Sequence, residues 1–138
     1  MPAKDIFHDI VKTALEKAGW KITHDPYSVR FGEIDFFVDL AAEKIIAAEK
    51  GDEKIAVEIK SFPSPSPVSD FHTALGQFMN YRMIMKHHEP ERILYLAVPL
   101  DTYESFFMLP FGLEAIRHHT LKLIVYSVQN KEITTWIK

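Results

Sequence analysis

Residues Gly32 to Phe62 read GEIDFFVDLAAEKIIAAEKGDEKIAVEIKSF, and how this stretch divides into strands decides the fold. Its end, Ile55-Ala56-Val57-Glu58-Ile59-Lys60, is an apolar run with two opposite charges two residues apart. In a strand, residues i and i+2 share a face, so Glu58 and Lys60 point one way while Val57 and Ile59 point the other. Asp35-Phe36-Phe37-Val38-Asp39 repeats the period, with Asp35 and Asp39 on one face. Two strands of one meander would then gather an aspartate, a glutamate and a lysine. Hard carboxylate oxygens suit Mg2+, which can activate water against a phosphodiester, and a nearby ammonium offsets developing negative charge. The plain alternative is two amphipathic strands with solvated charges, since periodicity by itself says only strand.

Working outward, Ile34 to Leu40 reads as strand, Ala41-Ala42-Glu43-Lys44 as a break, Ile45 to Glu49 as resumed strand, Lys50-Gly51-Asp52 as a turn, and Ile55 to Ser61 as the antiparallel return. An unbroken strand from Ile34 to Lys50 would be unusually long. The position of the break decides which acid faces Glu58, and the sequence leaves Asp35, Asp39 and Glu43 open. Before this stretch, Asp5 to Ala18 reads as a helix with Asp5 able to cap it and Gly19 ending it. Trp20 to His24 alternates as a first strand, and Asp25-Pro26-Tyr27-Ser28 is turn chemistry.

After it, Pro63-Ser64-Pro65-Ser66-Pro67 is a breaker segment. A long helix follows from Ser69 or Asp70 to about His87, with Gln77 and Tyr81 on one face at i and i+4. Ile93 to Val98 and Leu121 to Ser127 are apolar runs of the kind covered on both faces of a sheet. Between them lie helical or irregular pieces, Asp101 to Phe107 and Leu113 to His119, split by Pro110 and Gly112. Ile133 to Ile137 is a short last strand. The expected architecture is one α/β domain over residues 1–138, with a mixed central sheet flanked by helices.

With 138 residues, 47% hydrophobic and 25% charged, the chain has the composition of a single globular domain. It has no cysteine, which excludes disulfides and thiolate metal sites. No apolar run nears the roughly 20 residues of a membrane span, and Met1-Pro2-Ala3-Lys4-Asp5 lacks the apolar region of a secretory signal. A cytoplasmic location without membrane association is the expectation. The net charge of −3 argues against broad nonspecific nucleic-acid binding while leaving room for a local basic groove.

The ordered set of an acid, then Glu58-Ile59-Lys60, then a helix with Gln77-Phe78-Met79-Asn80-Tyr81 resembles the PD-(D/E)xK, or restriction-endonuclease-like, nuclease superfamily. Gly32-Glu33-Ile34-Asp35 looks like its glycine-x-x-aspartate element, Glu58 and Lys60 like its E-x-K, and Gln77 with Tyr81 like the Q-x-x-x-Y of a RecB-like branch. The resemblance implies a restriction-endonuclease-like fold. It implies Asp35 or Asp39 and Glu58 as ligands of Mg2+ (or Mn2+), Lys60 assisting the attacking water, and Gln77 and Tyr81 touching DNA or supporting the site. The superfamily's helix-1 acid has no unambiguous match: Asp9 and Glu16 both qualify, with solvated helix surface the plainer reading of each, and His8 stands near.

Over nearly its full length the chain also resembles the XisH family of cyanobacterial fdxN element excision controlling factors. The likeness is carried by MPAKDIFHD, GWKITHDP, AAEKIIAAEKGDEKIAVEIKSF, ALGQFMNYR, ILYLAVP and LKLIVYS. It implies an accessory role in site-specific excision of a DNA element, alongside a serine recombinase and a small partner called XisI. It does not imply demonstrated nuclease activity. A rival class is a catalytically silent nuclease fold that holds DNA or an XisI-like partner as a regulator of recombination. The apolar run FFMLPF, Phe106 to Phe111, reads either as core or as a homo-oligomer or partner patch.

Other chemistries fit less well. His87-His88 and His118-His119 diverge in a helix and do not chelate. No nucleophile-elbow, P-loop or dinucleotide fingerprint occurs. Met79, Met83 and Met85 read as core and interface filler. Arg82, Lys86, His87 and His88 read equally as a phosphate-facing patch and as a solvated helix face.

Overall fold

The computed structural model describes residues 4–47 and 51–138. The elements in chain order are α1 (His8–Lys17), β1 (Lys21–His24), β2 (Tyr27–Phe31), β3 (Ile34–Val38), β4 (Leu40–Ala47), β5 (Gly51–Ile59), α2 (Pro67–His88), β6 (Ile93–Pro99), α3 (Leu100–Thr102) running into a π-helical turn (Tyr103–Phe107), α4 (Pro110–His119), β7 (Leu123–Ser127) and β8 (Glu132–Ile137). Six strands form one sheet in the order β1-β4-β5-β6-β7-β8. Its centre, β5-β6-β7, is parallel, and β1-β4, β4-β5 and β7-β8 are antiparallel. The mixed α/β sheet expected from the sequence is therefore present.

Alternation along β5 splits the core into two layers. Ile55, Val57 and Ile59 pack with Leu40, Tyr95, Ala97, Ile124 and Tyr126 against Val11 and Leu15 of α1. Ala56 joins Leu96, Val98 and Val125 against Phe71, Ala74 and Phe78 of α2. Both faces of β6 are thus covered, as its unbroken apolar run requires. Each fully buried Leu, Ile or Val on it contributes about 1.5–3 kcal/mol. Phe106 and Phe107 of the π-helical turn and Ala115 of α4 complete the α2 layer.

Several boundaries differ from the sequence expectation; α1, for one, begins at His8 rather than Asp5. First, Tyr27 to Phe31 is a strand, paired with β3 as a separate two-stranded sheet. Tyr27 and Val29 are buried while Ser28 and Arg30 are exposed, so a short alternation hid behind the Asp25-Pro26 turn signal. Second, the break falls at Asp39, between β3 and β4, and Ala41 to Lys44 lie inside β4. Third, α2 starts within the proline-rich segment. Ser66 Oγ accepts from the Ser69 amide at 3.3 Å, and Pro67 occupies the first turn, where its missing N–H costs nothing. Of the turn expected at Lys50-Gly51-Asp52, Gly51 and Asp52 lie instead within β5, while Lys50, with residues 48 and 49 of the resumed strand, lies outside the described residues.

Pro110 likewise opens α4, and Gly112 lies within that helix. A Cβ at Gly112 would stand 2.5 Å from Phe106 O and from Phe107 Cα, so only glycine allows this close helix-to-turn approach. Among the described residues, no helix is long and apolar enough to cross a membrane.

Candidate functional site

The β4-β5 register fixes the centre of the site. Leu40 pairs with Val57, so Asp39 sits across from Glu58, one step past the last pair. Asp39 is free of a regular strand and turns its carboxylate inward, where Oδ2 accepts from the Ile59 amide at 2.7 Å. Glu58 is on the α2 face of β5, and only 5% of it is exposed. Its Oε2 lies 3.6 Å from Lys60 Nζ, and its Oε1 is buried without a hydrogen-bond partner. Lys60 follows β5, its amide donating to Ala97 O at 3.0 Å.

The wall opposite comes from α2. Gln77 and Tyr81, one turn apart, line the same cavity of about 190 Å3 as Asp39, Glu58 and Lys60. Gln77 Oε1 is also buried without a partner. Lys4 and Asp5 close the rim from the other side. Asp5 Oδ1 accepts from the Phe7 amide at 2.9 Å and Oδ2 from the Ser61 amide at 3.1 Å, tying the approach to α1 onto the end of β5.

The electrostatics are those of a buried acidic pair short of positive charge. Burial, then the Asp39 charge, pushes the Glu58 carboxyl up to about 8, with Lys60 opposing. Burial likewise raises Asp39, against the Ile59 amide and the charges of His8 and Lys60. Tyr81 is pushed up to about 12 by burial and then by the charges of Glu58 and Asp39, which keeps it a neutral phenol. Two neighbouring carboxylates with an orphaned oxygen fit a small hard divalent cation, which takes one or two carboxylates and retains water. Among the described residues no three His, Asp or Glu side chains form a closed metal cage.

The other sequence candidates stand elsewhere. Asp35 belongs to the β2-β3 hairpin, half-exposed and ion-paired with Arg30 at 3.2 Å, and does not reach the Glu58 cavity. Glu43 lies within β4 and approaches Arg92 at 3.5 Å. Asp9 and Glu16 are exposed on α1, in line with the plainer reading. His8 is buried, its Nε2 2.7 Å from Asp25 Oδ1, and Lys12 Nζ donates to Asp25 Oδ2 at 2.9 Å. Burial pushes the Asp25 carboxyl up, but the Lys12 and His8 hydrogen bonds outweigh it, so its net shift is downward. Asp5 is the acid the sequence reading passed over. Its place ahead of a helix marked it only as a cap, and the contact with Ser61 crosses 56 positions of chain.

The family model described as XisH protein matches residues 1–134. A crystal structure of an XisH family protein from Nostoc punctiforme PCC 73102 is 49% identical, with a TM-score of 0.88, over 97% of this chain and 100% of that one. A crystal structure of a fdxN element excision controlling factor protein from Anabaena variabilis is 48% identical, with a TM-score of 0.88, over 98% of this chain and 100% of that one. Among curated proteins, none matches the chain.

Proposed function

The chain belongs to the XisH family, and from that membership and the buried acidic pair we propose that it is a DNA-acting accessory factor in the site-specific excision of a DNA element, hydrolysing phosphodiesters as a Mg2+-dependent endonuclease of restriction-endonuclease-like fold. The excision role rests on the relative from Anabaena variabilis, whose description names that control. The nuclease role rests on one observation: Glu58 Oε1 is buried without a partner in a carboxylate pair beside an ammonium group. The run from α1 through the antiparallel strands β1, β4 and β5, with Glu58-x-Lys60 at the end of β5 and α2 after it, fits the order the superfamily resemblance implies.

Asp39 and Glu58 would hold Mg2+ or Mn2+. When bound there, such an ion supplies positive charge that polarises a phosphodiester and makes water a stronger nucleophile. The chain does the rest. The Ile59 amide fixes one Asp39 oxygen, leaving the other for the cavity. Lys60, held 3.6 Å from Glu58, keeps the glutamate ionisable and sets an ammonium where negative charge develops. Gln77 and Tyr81 face the cavity with a carbonyl oxygen and a neutral hydroxyl, suited to orienting water or a phosphate oxygen. Lys4, on the rim, adds a second positive charge toward a DNA backbone.

The test is incubation of supercoiled plasmid with the protein and Mg2+, or Mn2+, against Glu58→Ala and the surface control Glu132→Ala. Nicking by the wild type and the control, lost in Glu58→Ala, supports the reading. Intact plasmid with every protein counts against it.

A second reading, a silent nuclease fold that holds a protein partner, is favoured by one observation. Met108, Leu109, Phe111 and Leu113 are each at least half exposed, so the FFMLPF run is core at Phe106 and Phe107 and surface beyond. Such a surface suits a small XisI-like protein, a site-specific recombinase or a second copy of the chain. Co-purification of a partner while plasmid DNA stays intact under Mg2+ selects it.

A further inference from the structure

The side of α2 turned away from the sheet carries a row of exposed residues: Ser69, His72, Gly76, Met79, Met83 and Lys86. Their spacing alternates between three and four positions, the repeat of a coiled-coil seam, so they lie in line along the helix. The outward side of a solvated helix ordinarily carries many charges. This row has one formal charge, Lys86, while Met79 and Met83 are 38% and 52% exposed. At its middle, nothing in the chain stands within 4 Å of where a Cβ on Gly76 would be. The other sides of α2 are occupied: Phe71, Ala74 and Phe78 pack toward the sheet, and Gln77 and Tyr81 line the acidic cavity.

The row is complementary to itself in one orientation. Turned end over end about the point between Gly76 and Met79, it maps onto itself layer by layer. Ser69 then meets the partner's Lys86, His72 the partner's Met83, and Gly76 the partner's Met79. Each layer sets a long flexible side chain against a smaller residue or a ring, and each methionine of the central layers enters the notch over a glycine. Sulfur against the imidazole ring is itself a favourable contact. The two Lys86 ammonium groups end up about 25 Å apart, far beyond the screening length of about 8 Å. The parallel orientation does the reverse: Gly76 faces the partner's Gly76 across a hole, and Lys86 faces the partner's Lys86.

We infer that two copies of the chain associate through α2, antiparallel, with the two-fold axis between Gly76 and Met79. The overlap from Ser69 to Lys86 is about 27 Å long, and a strip of that length one helix wide hides roughly 450 Å2 per copy. The total of roughly 900 Å2 lies below the 1,200 Å2 or so of stable interfaces, in the range of weak, transient ones. A dimer with a Kd of about 10–100 µM follows. The inference is independent of the nuclease reading, since Gln77 and Tyr81 lie on a different side of α2. It also makes no use of the exposed Met108, Leu109 and Leu113.

The chain has no cysteine, so introduced cysteines report the register directly. His72→Cys and Met83→Cys are made as separate variants of the full chain. The two positions are about 16 Å apart along one helix, so in the antiparallel pair neither variant can bridge to itself, whereas an equimolar mixture can. Mild oxidation should give at least about fivefold more disulfide-linked dimer from the mixture than from either variant alone. Sedimentation of the wild type from about 5 to about 500 µM should show the mass rising toward twice the monomer's. Met79→Lys should weaken that association by about tenfold or more at an unchanged melting temperature, and Leu113→Arg should leave it unchanged. A monomer at every concentration, equal bridging by the single variants and the mixture, or dissociation by Leu113→Arg but not Met79→Lys overturns the inference.

Discussion

Asp39 faces Glu58 because the β3-β4 boundary falls at Asp39 itself: one step beyond the Leu40–Val57 pair, its carboxylate is held by the Ile59 amide at 2.7 Å. The first prediction separates this acid from its rival. Asp39→Asn and Glu58→Gln should each lower affinity for Mn2+ by about tenfold or more, as loss of a hard ligand from a two-carboxylate site implies. Asp35→Asn should leave it unchanged, since Asp35 pairs with Arg30 on the outer hairpin. Electron paramagnetic resonance of free Mn2+ against protein concentration measures all three.

The second prediction concerns pH. Glu58 is raised to about 8 by burial, so the folded chain binds a proton the unfolded one has released above its ordinary value of 4.5. Its contribution therefore weakens stability as pH rises from about 4.5 to about 8. Glu89 has the opposite sign. Hydrogen bonds from Arg92 lower it to about 2, so its contribution is full above 4.5 and is lost as pH falls toward 2. The metal-free protein should melt highest in mildly acidic buffer. Glu58→Gln should flatten the slope from neutral to pH 8 and raise stability there by roughly 2 kcal/mol. Thermal melts across pH 2 to 9, with chelator, give both slopes.

Arg92 supplies a third. Only 5% of it is exposed, and it donates from Nε and Nη2 to both oxygens of Glu89 and from Nη1 to Ile55 O at 3.0 Å. Arg92→Ala leaves a buried carbonyl unpaired and Glu89 with only the Tyr27 hydroxyl and Lys54 at 3.8 Å, and should cost about 3 kcal/mol. Arg92→Lys keeps the charge but not the fork and should cost about 1–2 kcal/mol. Urea unfolding resolves the two.

Gly112→Ala should also destabilise, by roughly 2 kcal/mol, because the new Cβ meets backbone atoms that cannot swing aside. The same change at Gly76, where a Cβ meets nothing within 4 Å, should be neutral or stabilising by about 0.5–1 kcal/mol in mid-helix. Paired melting curves decide between them.

How far the sequence could be read follows from which signals are local. The short apolar run Ile93 to Val98 reads as a strand covered on both faces, and β6 is that strand. Glu58 and Lys60 were legible as a same-face pair because a strand period of two needs no tertiary knowledge. The break at Asp39 was not, because neither Val38-Asp39-Leu40 nor Ala41 to Lys44 carries glycine or proline to mark it. The Tyr27–Phe31 strand was hidden by the turn signal in front of it. Asp5 looked like a helix cap until the far end of β5 came to meet it, a contact no window of sequence contains.

The central claim is that Asp39 and Glu58 together hold a divalent cation. Diffraction from crystals soaked in Mn2+, with data collected at the manganese edge, tests it most directly. The account predicts an anomalous peak in the cavity between β5 and α2, ligated by the carboxylates of Asp39 and Glu58. A saturating soak with no peak there, or with manganese on Asp35 instead, would contradict it.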